Sequence, residues 1–147
     1  MATSTLIQYL EADASGASNR AQTETFLASA AITAGDLVEF DAAQTDSDRV
    51  LYVKQCVGVP TKGSPAACGI ALETVAAGER VKCTVAGYHE GANVAAATTA
   101  GDALVGPIGT AGRAEIEVPG TTTGAVFAIA LEADTANVAD VWVVKRF

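Results

Sequence analysis

The stretch GIALETVAAGERVKCTVAG, residues 69–87, decides the fold. It contains two runs of small and β-branched residues separated by AAGE, a sequence typical of a tight turn. In the second run, successive side chains of a strand would point to opposite faces, which places Val81, Cys83 and Val85 inside. The residues between them, predicted to face solvent, are Arg80, Lys82 and Thr84. The stretch therefore predicts a β-hairpin with one buried face.

The turn phrase of this hairpin recurs along the chain. It is found as TAGDLVEF at 33–40, AAGERVKC at 76–83, TAGDALVG at 99–106 and AGRAEIEV at 111–118. Each copy places Ala-Gly and a charged residue before a strand, as a turn requires when Gly takes a positive φ. A phosphate-binding loop would need a helix after the glycine, and no GxxxxGK[ST] occurs. We interpret the phrases as turns.

Further strands are predicted on both sides of the central hairpin, because β-branched residues alternate with polar ones between Gly-containing turns. The predicted strands are Thr25–Ala30, Asp36–Phe40, Arg49–Val59, Ala67–Leu72, Glu79–Ala86, Ala103–Ile108, Ala114–Val118, Ala125–Leu131 and Asp140–Phe147. The sequence thus predicts an all-β fold, a small β-barrel or β-sandwich of about eight to nine short strands.

Two of the predicted strands carry information about faces. In RAEIEV, Ile116 and Val118 are predicted inside, with the glutamates outside. The final DVWVVKRF places Val141, Val143 and Phe147 on one face, and the residues on the other face are Trp142 and Val144. Because both faces of this last strand are partly apolar, we expect it to be central or to lie at an interface.

The first 24 residues differ from the rest and are interpreted as an extended N-terminal arm and linker, with residues 25–147 forming a single β-rich domain. The arm has an apolar patch, followed by the small and polar ADASGASNRAQTE. The patch consists of Leu6, Ile7, Tyr9 and Leu10. Since large apolar side chains are costly to leave in water, we expect the arm to dock on a neighbouring subunit or partner; a frayed terminus is the alternative.

A longer similarity links GIALETVAAGERVKCTV at 69–85 with AIALEADTANVADVWVV at 128–144. Both contain IALE followed by a valine-rich strand. The similarity predicts two β-hairpins of the same kind and suggests internal pseudo-symmetry.

Composition excludes several classes of function. Nine basic against 17 acidic residues give a net charge of −8, which disfavours nucleic acid as a partner. No run approaches the roughly 20 apolar residues of a membrane helix. Aromatic residues make up 5% of the chain, too few for a typical small-molecule pocket. The three cysteines, Cys56, Cys68 and Cys83, form no disulfide pattern and are expected to be buried thiols of a protein made in the reducing cytoplasm.

The sequence contains few residues in patterns typical of an active site. His89, the single histidine, lies in GYHEG between two glycines that mark a loop, where we expect a loop contact or a surface residue. Neither HExxH, a zinc-type cysteine spacing nor GxSxG is present. The aspartates fall mostly at predicted turns. We therefore predict no catalytic residues, no metal site, no cofactor and no small-molecule substrate.

One enzyme family remains as a remote alternative. GPIGTAGRAEIEV resembles the Gly-flanked turn before an acidic strand in trimeric dUTP pyrophosphatases, which are all-β proteins of similar length. That family carries a catalytic Asp followed by Tyr in the turn, whereas this segment has Gly109, Thr110 and Ala111 there. The Arg-Ser-Gly phosphate-binding segment is also missing.

The phrase GIALETVAAGERVKCTVAGYHEG, together with AITAGDLVEFD upstream, resembles the signature of small tailed-phage capsid cement, or decoration, proteins. The resemblance covers about residues 31–91 and lies in a Gly-Ile-Ala-Leu strand, an Ala-Ala-Gly-acid turn and a valine-alternating strand. It implies a homotrimer bound to the major capsid protein on the outer surface of the virion. The interface residues expected are Leu6, Ile7, Tyr9, Leu10, Trp142 and Val144.

A second hypothesis is a virion-surface adhesion or fibre-like binding module. Such a module needs an exposed aromatic platform or a loop of polar recognition groups. In this sequence the candidates for that platform are Tyr88, His89 and Trp142.

Overall fold

The computed structural model describes residues 20–58, 64, 66–121 and 124–144. The fold is almost all β, with 47% of the described residues in strands and 4% in helix, which confirms the predicted class. The strands are β1 Ala21–Ala28, β2 Leu37–Phe40, β3 Tyr52–Gln55, β4 Ala67–Ala71, β5 Arg80–Asn93, β6 Ala103–Val105, β7 Glu115–Ile116, β8 Ala128–Ala130 and β9 Val138–Val143. Within this part of the chain, no helix is both long and apolar enough to cross a membrane.

All nine predicted strands have an observed counterpart in the predicted order, but several boundaries were wrong. β1 begins at Ala21, four residues before the predicted start. The predicted strand Arg49–Val59 is interrupted because Asp46–Val50 forms a short 3₁₀ helix, and only Tyr52–Gln55 pairs as a strand. The local aspartates favour the turn over an extended chain at this point.

β5 is the longest of the described strands and includes the segment GYHEG, so the prediction of a loop there was wrong. It runs for 14 residues, through Gly87 and Gly91, to Asn93. Both glycines have positive φ, and the pairing with β9 shifts register between His89 and Ala92, so they allow a bulge and do not end the strand. A Cβ at Gly87 would lie 1.8 Å from the carbonyl oxygen of Arg20, because β1 passes directly beside it.

The strands form one sheet in the order β1-β3-β2-β4-β5-β9-β8-β6-β7. β1 also pairs with β5, which closes a five-stranded barrel of β1, β3, β2, β4 and β5. All pairings between these named strands are antiparallel except that of β1 with β3. β9, β8, β6 and β7 continue from the second half of β5.

The described chain consists of two copies of one unit that share β5. Unit A comprises the described residues of 21–86, and unit B those of 87–144. The strand pairings of the two units match in register. The pairs of unit A, in order, are Leu37↔Ile70, Ile70↔Thr84, Phe26↔Val81, Val38↔Gln55 and the parallel pair Ala28↔Val53. The corresponding pairs of unit B, in the same order, are Ala103↔Ile129, Ile129↔Trp142, Ala92↔Ala139, Leu104↔Ile116 and the parallel bridge Val94↔Ala114. The two hairpins predicted from the IALE repeat are confirmed, and the repeat extends to the whole unit.

The recurring Ala-Gly phrases are turns, as predicted. Their glycines, Gly35, Gly78, Gly101 and Gly112, all have positive φ. In the first three, the acidic residue that follows the glycine accepts a hydrogen bond from the first backbone N–H of the turn, for example Thr33 N to Asp36 Oδ2 at 3.0 Å and Thr99 N to Asp102 Oδ2 at 2.7 Å. The charged residue therefore stabilises the turn locally.

Two hydrophobic cores follow from the two units. The interior of unit A contains Phe26, Ala28, Ile32, Val38, Val53, Cys68, Ala71, Val81, Cys83 and Val85. The second core contains the interior of unit B together with four side chains from the outside of unit A: Leu37, Cys56, Ala67 and Ile70. The second core therefore also holds the two units together.

Burial confirms most of the predicted faces and corrects two. Val81, Cys83 and Val85 are inside, and all three cysteines are buried free thiols as expected. Thr84, predicted to face solvent, is buried, because unit B covers this side of β5. Val118, predicted inside, is 45% exposed, because β7 ends at Ile116 and the chain leaves the sheet before it.

Candidate functional site

The buried carboxylate of Asp36 lies where unit A meets unit B. Its oxygens accept hydrogen bonds from Gln55 Nε2 and Asn93 Nδ2, both at 2.9 Å, as well as from the Thr33 backbone. Gly112 packs against it so closely that a Cβ there would lie 2.7 Å from Asp36 Oδ1. These donors satisfy the carboxylate, so Asp36 links the two units and has no room for a substrate.

The cysteines are not arranged as nucleophiles. Glu39 Oε2 accepts hydrogen bonds from Cys56 Sγ at 3.3 Å and from Ser64 Oγ at 2.5 Å. Burial, reinforced by the negative charge of Glu39, raises the pKa of Cys56 far above its usual value. Burial likewise raises the pKa of Cys83 to about 12. A thiol attacks only as thiolate, so these groups are inert at neutral pH.

His89 was expected at the surface, and that prediction was wrong. The ring is buried on β5, and its Nδ1 lies 2.9 Å from Thr84 Oγ1. Burial lowers the pKa of His89 to about 4, against a smaller opposing effect of the Asp140 charge. His89 is thus a neutral core histidine at pH 7. Across the described ranges, no group of three or more His, Cys, Asp or Glu side chains could hold a metal ion.

The outer face of unit B carries exposed apolar and aromatic side chains. Tyr88, Trp142, Ile129 and Ala103 are directly paired neighbours across β5, β9, β8 and β6, so their side chains form one row on one side of the sheet. We call this row the B face. Trp142 is 40% and Ile129 39% exposed, whereas the residues that alternate with them on β8 and β9 are buried. The B face is therefore an apolar and aromatic strip open to solvent.

Carboxylates border the B face. The Tyr88 hydroxyl donates a hydrogen bond of 2.5 Å to Asp140 Oδ2, and the other oxygen of Asp140 accepts one from the Gly91 backbone at 3.1 Å. The bond to Asp140 raises the pKa of Tyr88 to about 12. Glu132 accepts a bond from the backbone N–H of Asp140. Tyr88 is therefore held in one orientation beside Trp142, and the border of the strip is acidic.

A second exposed apolar surface lies on unit A. Leu51 is 50% and Val50 60% exposed, where the 3₁₀ helix leads into β3. They adjoin a shallow cleft of about 360 Å³, which we call the A cleft; its lining residues are Thr25, Phe26, Leu27, Leu51 and Arg80. Arg80 makes no ion pair within the described part of the chain, so the A cleft combines apolar side chains with a free positive charge.

The structure brings together only some of the predicted site residues. Trp142 of β9 and Val144, which directly follows β9, are both exposed, as their alternation predicted. Tyr88 joins Trp142, but His89 points into the core. Leu6, Ile7, Tyr9 and Leu10, and also Phe147, lie outside the described residues. Ile129, Leu51 and Val50 were not predicted as site residues. The IALE repeat could have indicated Ile129, because it aligns this residue with Ile70 of the first hairpin.

Comparison with known proteins identifies a shared fold and no family. No protein-family model matches the chain, and no curated protein matches it. Among solved structures, the chain is similar to the N base of the head fiber gp8.5 of bacteriophage phi29, with a TM-score of 0.51 and 18% sequence identity. The match covers 84% of this chain and 93% of that one. At this identity the likeness shows that the two chains fold alike.

Proposed function

We propose that this protein is a structural component of a bacteriophage virion, a cement or decoration protein that binds the outer surface of the head as a trimer. The observation that carries the proposal is the fold it shares, over most of both chains, with the base of a phage head fiber. The cement signature of the sequence supports the same role independently of that match.

The charge and the surfaces of the chain agree with a place on the outside of the shell. A net charge of −8 would repel packaged DNA but is compatible with solvent-facing capsid protein. We assign the contact with the major capsid protein to the N-terminal arm, whose apolar residues are Leu6, Ile7, Tyr9 and Leu10. The first residue of β1, Ala21, pairs with Gly87, which directly precedes Tyr88 of the B face.

Binding of this kind stabilises a shell by mass action. A ligand that binds the intact shell but not the broken one shifts the equilibrium toward the intact shell. Three arms on one trimer would bind neighbouring capsid subunits with a high effective concentration, so individually weak contacts give high occupancy.

A fibre-like or adhesion module on the virion surface is the second candidate, and one feature favours it. Tyr88 and Trp142 lie side by side on an exposed strip with acidic borders, and aromatic platforms of this kind bind carbohydrates and other flat apolar ligands. The solved relative is itself the base of a fiber. Here the chain would still attach to the head, while the B face would bind a receptor or the shaft of a fibre.

Co-sedimentation with heads tests the proposal. Purified full-length chain is mixed with heads that lack it, and bound chain is measured after centrifugation. We expect saturable binding and heads that withstand heating or low salt better than untreated ones. Absence of binding would contradict the virion role, as would measurable nucleotide hydrolysis that a single carboxylate substitution abolishes.

Deletion of residues 1–19 tests the role of the arm. The deletion stops before β1, so the melting temperature of the fold should stay the same while binding to heads falls about tenfold or more. The matched control is Leu72→Ala, at an exposed leucine outside both apolar surfaces, which should leave binding to heads unchanged. Full binding by the deletion variant would show that the arm is not the attachment site.

A further inference from the structure

The junction between the two units buries a defined surface of unit A. Leu37 and Ile70, which lie on the outside of the unit A barrel, belong to the same core as the interior of unit B. Ile70 is 2% and its neighbour Thr84 is 1% exposed. Unit B therefore covers the outside of β2, β4 and β5 in unit A.

The corresponding surface of unit B is the B face, and nothing in the described chain covers it. By the matching registers, Leu37, Ile70 and Thr84 correspond to Ala103, Ile129 and Trp142. Where unit A buries these positions, Ile129 and Trp142 are about two fifths exposed. Unit B thus presents, with Trp in place of Thr and Ala in place of Leu, the surface that in unit A serves as a docking site for a second unit.

The other side of the junction consists of the interior of unit B together with two positions of unit B that reach unit A by hydrogen bonds. Gly112 accepts a hydrogen bond from the backbone of Leu37 and donates one to Cys56, and Asn93 reaches Asp36. The pairings Ala28↔Val53 and Val94↔Ala114 make Leu51 the counterpart of Gly112, and Leu27↔Arg80 and Asn93↔Val138 make Leu27 the counterpart of Asn93. Leu27 and Leu51 both line the A cleft.

The B face is therefore the repeat of the covered row of unit A, and Leu27 and Leu51 of the A cleft are the repeats of two residues on the other side of that junction. We propose that the B face of one copy of this protein docks on the A cleft of the next copy, so that copies join head to tail in the same direction as unit A joins unit B. In this contact, Trp142 and Ile129 pack against Leu51 and Leu27. This proposal rests on the self-association assumed above and assigns its surfaces.

Charge complementarity supports the same orientation. The A cleft carries Arg80, whereas the B face is bordered by Asp140 and, beside Ala103, by Glu117. Arg80 can pair with a carboxylate of the neighbouring copy or stack on the indole of Trp142. Two B faces brought together would instead oppose like charges, which disfavours a contact between identical surfaces.

The contact between copies differs from the internal junction in one respect. At Gly112 the backbone of unit B enters unit A, since the glycine has no side chain to exclude it. Its counterpart Leu51 has a side chain, and its carbonyl oxygen already accepts a hydrogen bond from Leu27. The copies therefore meet through side chains and not through shared backbone hydrogen bonds, which gives a contact weaker than the junction within one chain.

A contact between two different surfaces is heterologous, and it closes into a ring if the rotation between copies permits. Three copies related by a threefold axis would use every A cleft and every B face. The result is the trimer of the proposed function, with the two exposed apolar surfaces buried.

Cross-linking of mixed variants tests the pairing of unlike surfaces. One sample carries Leu51→Cys and another Ile129→Cys, and a short bismaleimide is added to each alone and to the mixture. The native cysteines are buried with raised pKa values and should not react. We expect cross-linked dimers in the mixture and none in either sample alone. Dimers from Ile129→Cys alone, or no dimers in the mixture, would overturn the proposal.

Light scattering with a matched pair of variants gives a second, independent test. Leu51→Asp should raise the dissociation constant between copies about tenfold or more, because it places a charge in the contact. Leu72→Asp, at a similarly exposed leucine of unit A outside both surfaces, should leave it unchanged. Equal effects of the two substitutions would contradict the assignment. Failure to bind heads by a chain that still associates through these surfaces would reject only the virion role.

Discussion

Units A and B have the same strand register but differ in what lies outside their barrels. In unit A the outer positions Leu37, Ile70 and Thr84 are buried under the second unit. In unit B the corresponding positions carry Ala103, Ile129 and Trp142 and face solvent. The backbone pattern therefore determines which positions form the outer row, and the neighbouring unit determines whether that row is core or surface.

The comparison also separates residues that stabilise the fold from residues that are available for binding. A large apolar side chain in the covered row contributes to stability, and the same kind of side chain in the open row exposes apolar surface without stabilising the monomer. Substitutions at matched positions of the two units can therefore measure how much more the covered row contributes to stability than the open row.

The largest difference is expected for the isoleucine pair. Ile70→Ala should lower the free energy of unfolding by about 2–5 kcal/mol, because it leaves a cavity in the shared core. Ile129→Ala should cost less than about 1 kcal/mol, since Ile129 is about two fifths exposed and its truncation leaves no enclosed cavity. Urea denaturation in the Leu51→Asp background, in which copies should not associate, measures both. Equal costs would mean that the two rows are equally buried.

Acid should destabilise the protein through His89. Its pKa is about 4 in the folded protein and near 6.5 in the unfolded chain, so the unfolded chain binds the proton more readily. The stabilisation is therefore complete above pH 6.5 and is lost as the pH falls toward 4, by about 3 kcal/mol in total. His89→Asn, which can still contact Thr84, should flatten the stability profile in this range.

Asp41 serves as the control for that pH profile. The hydrogen bond from Gln44 lowers the pKa of Asp41 to about 2 from 3.8, so its contribution is present above pH 3.8 and is lost only as the pH falls toward 2. A loss of stability that begins near pH 4 and not near pH 6.5, unchanged by His89→Asn, would show that His89 is not the group responsible.

Two glycines with the same kind of turn test the closeness of the junction. A Cβ at Gly101 would have no atom within 4 Å, so Gly101→Ala should lower the free energy of unfolding only through the positive φ, by about 1–2 kcal/mol. Gly112→Ala has a similar φ but would place a Cβ 2.6 Å from Gln55 Nε2 and should cost about 1–3 kcal/mol more. Thermal unfolding measures both, and identical melting temperatures would contradict the tight contact of unit B with Asp36.

The smallest difference is expected for the repeated glutamates. Glu73 accepts a hydrogen bond from Lys82 N at 3.0 Å, and Glu132 accepts one from Asp140 N at 3.1 Å, at matching positions of the two hairpins. Replacing either by Ala should cost about 0.5–1.5 kcal/mol, and the two costs should agree within a few tenths. Chemical denaturation of both variants checks this. A clear inequality would show that the hairpins are not energetically equivalent.

Much of this fold could be predicted from the sequence, because its determinants are local. Alternation located every strand, and Ala-Gly followed by a charged residue located the turns, where Gly35 and Gly101 have the required positive φ. The repeated IALE identified one hairpin of each unit. The prediction failed where glycines lie inside a strand, as in β5, since Gly87 and Gly91 resemble turn residues but form a bulge.

The candidate site could be predicted only in part, because it depends on how the units pack. Alternation in β9 correctly placed Trp142 outside and Val143 inside. No local pattern distinguishes Ile70 from Ile129, since both follow Gly or Ala in the same phrase, and only the packing of unit B on unit A buries one of them. Alternation assigned Thr84 to the surface, and the flanking glycines assigned His89 to a loop, whereas the two side chains contact each other in the core.

The most direct test is a cryo-electron microscopy reconstruction of heads to which the full-length chain has been added. The account predicts extra density on the outside of the shell, resolved into copies joined head to tail, with Trp142 of one copy in contact with Leu51 of the next. Density inside the shell, no ordered density, or copies that meet through two B faces or two A clefts would contradict it.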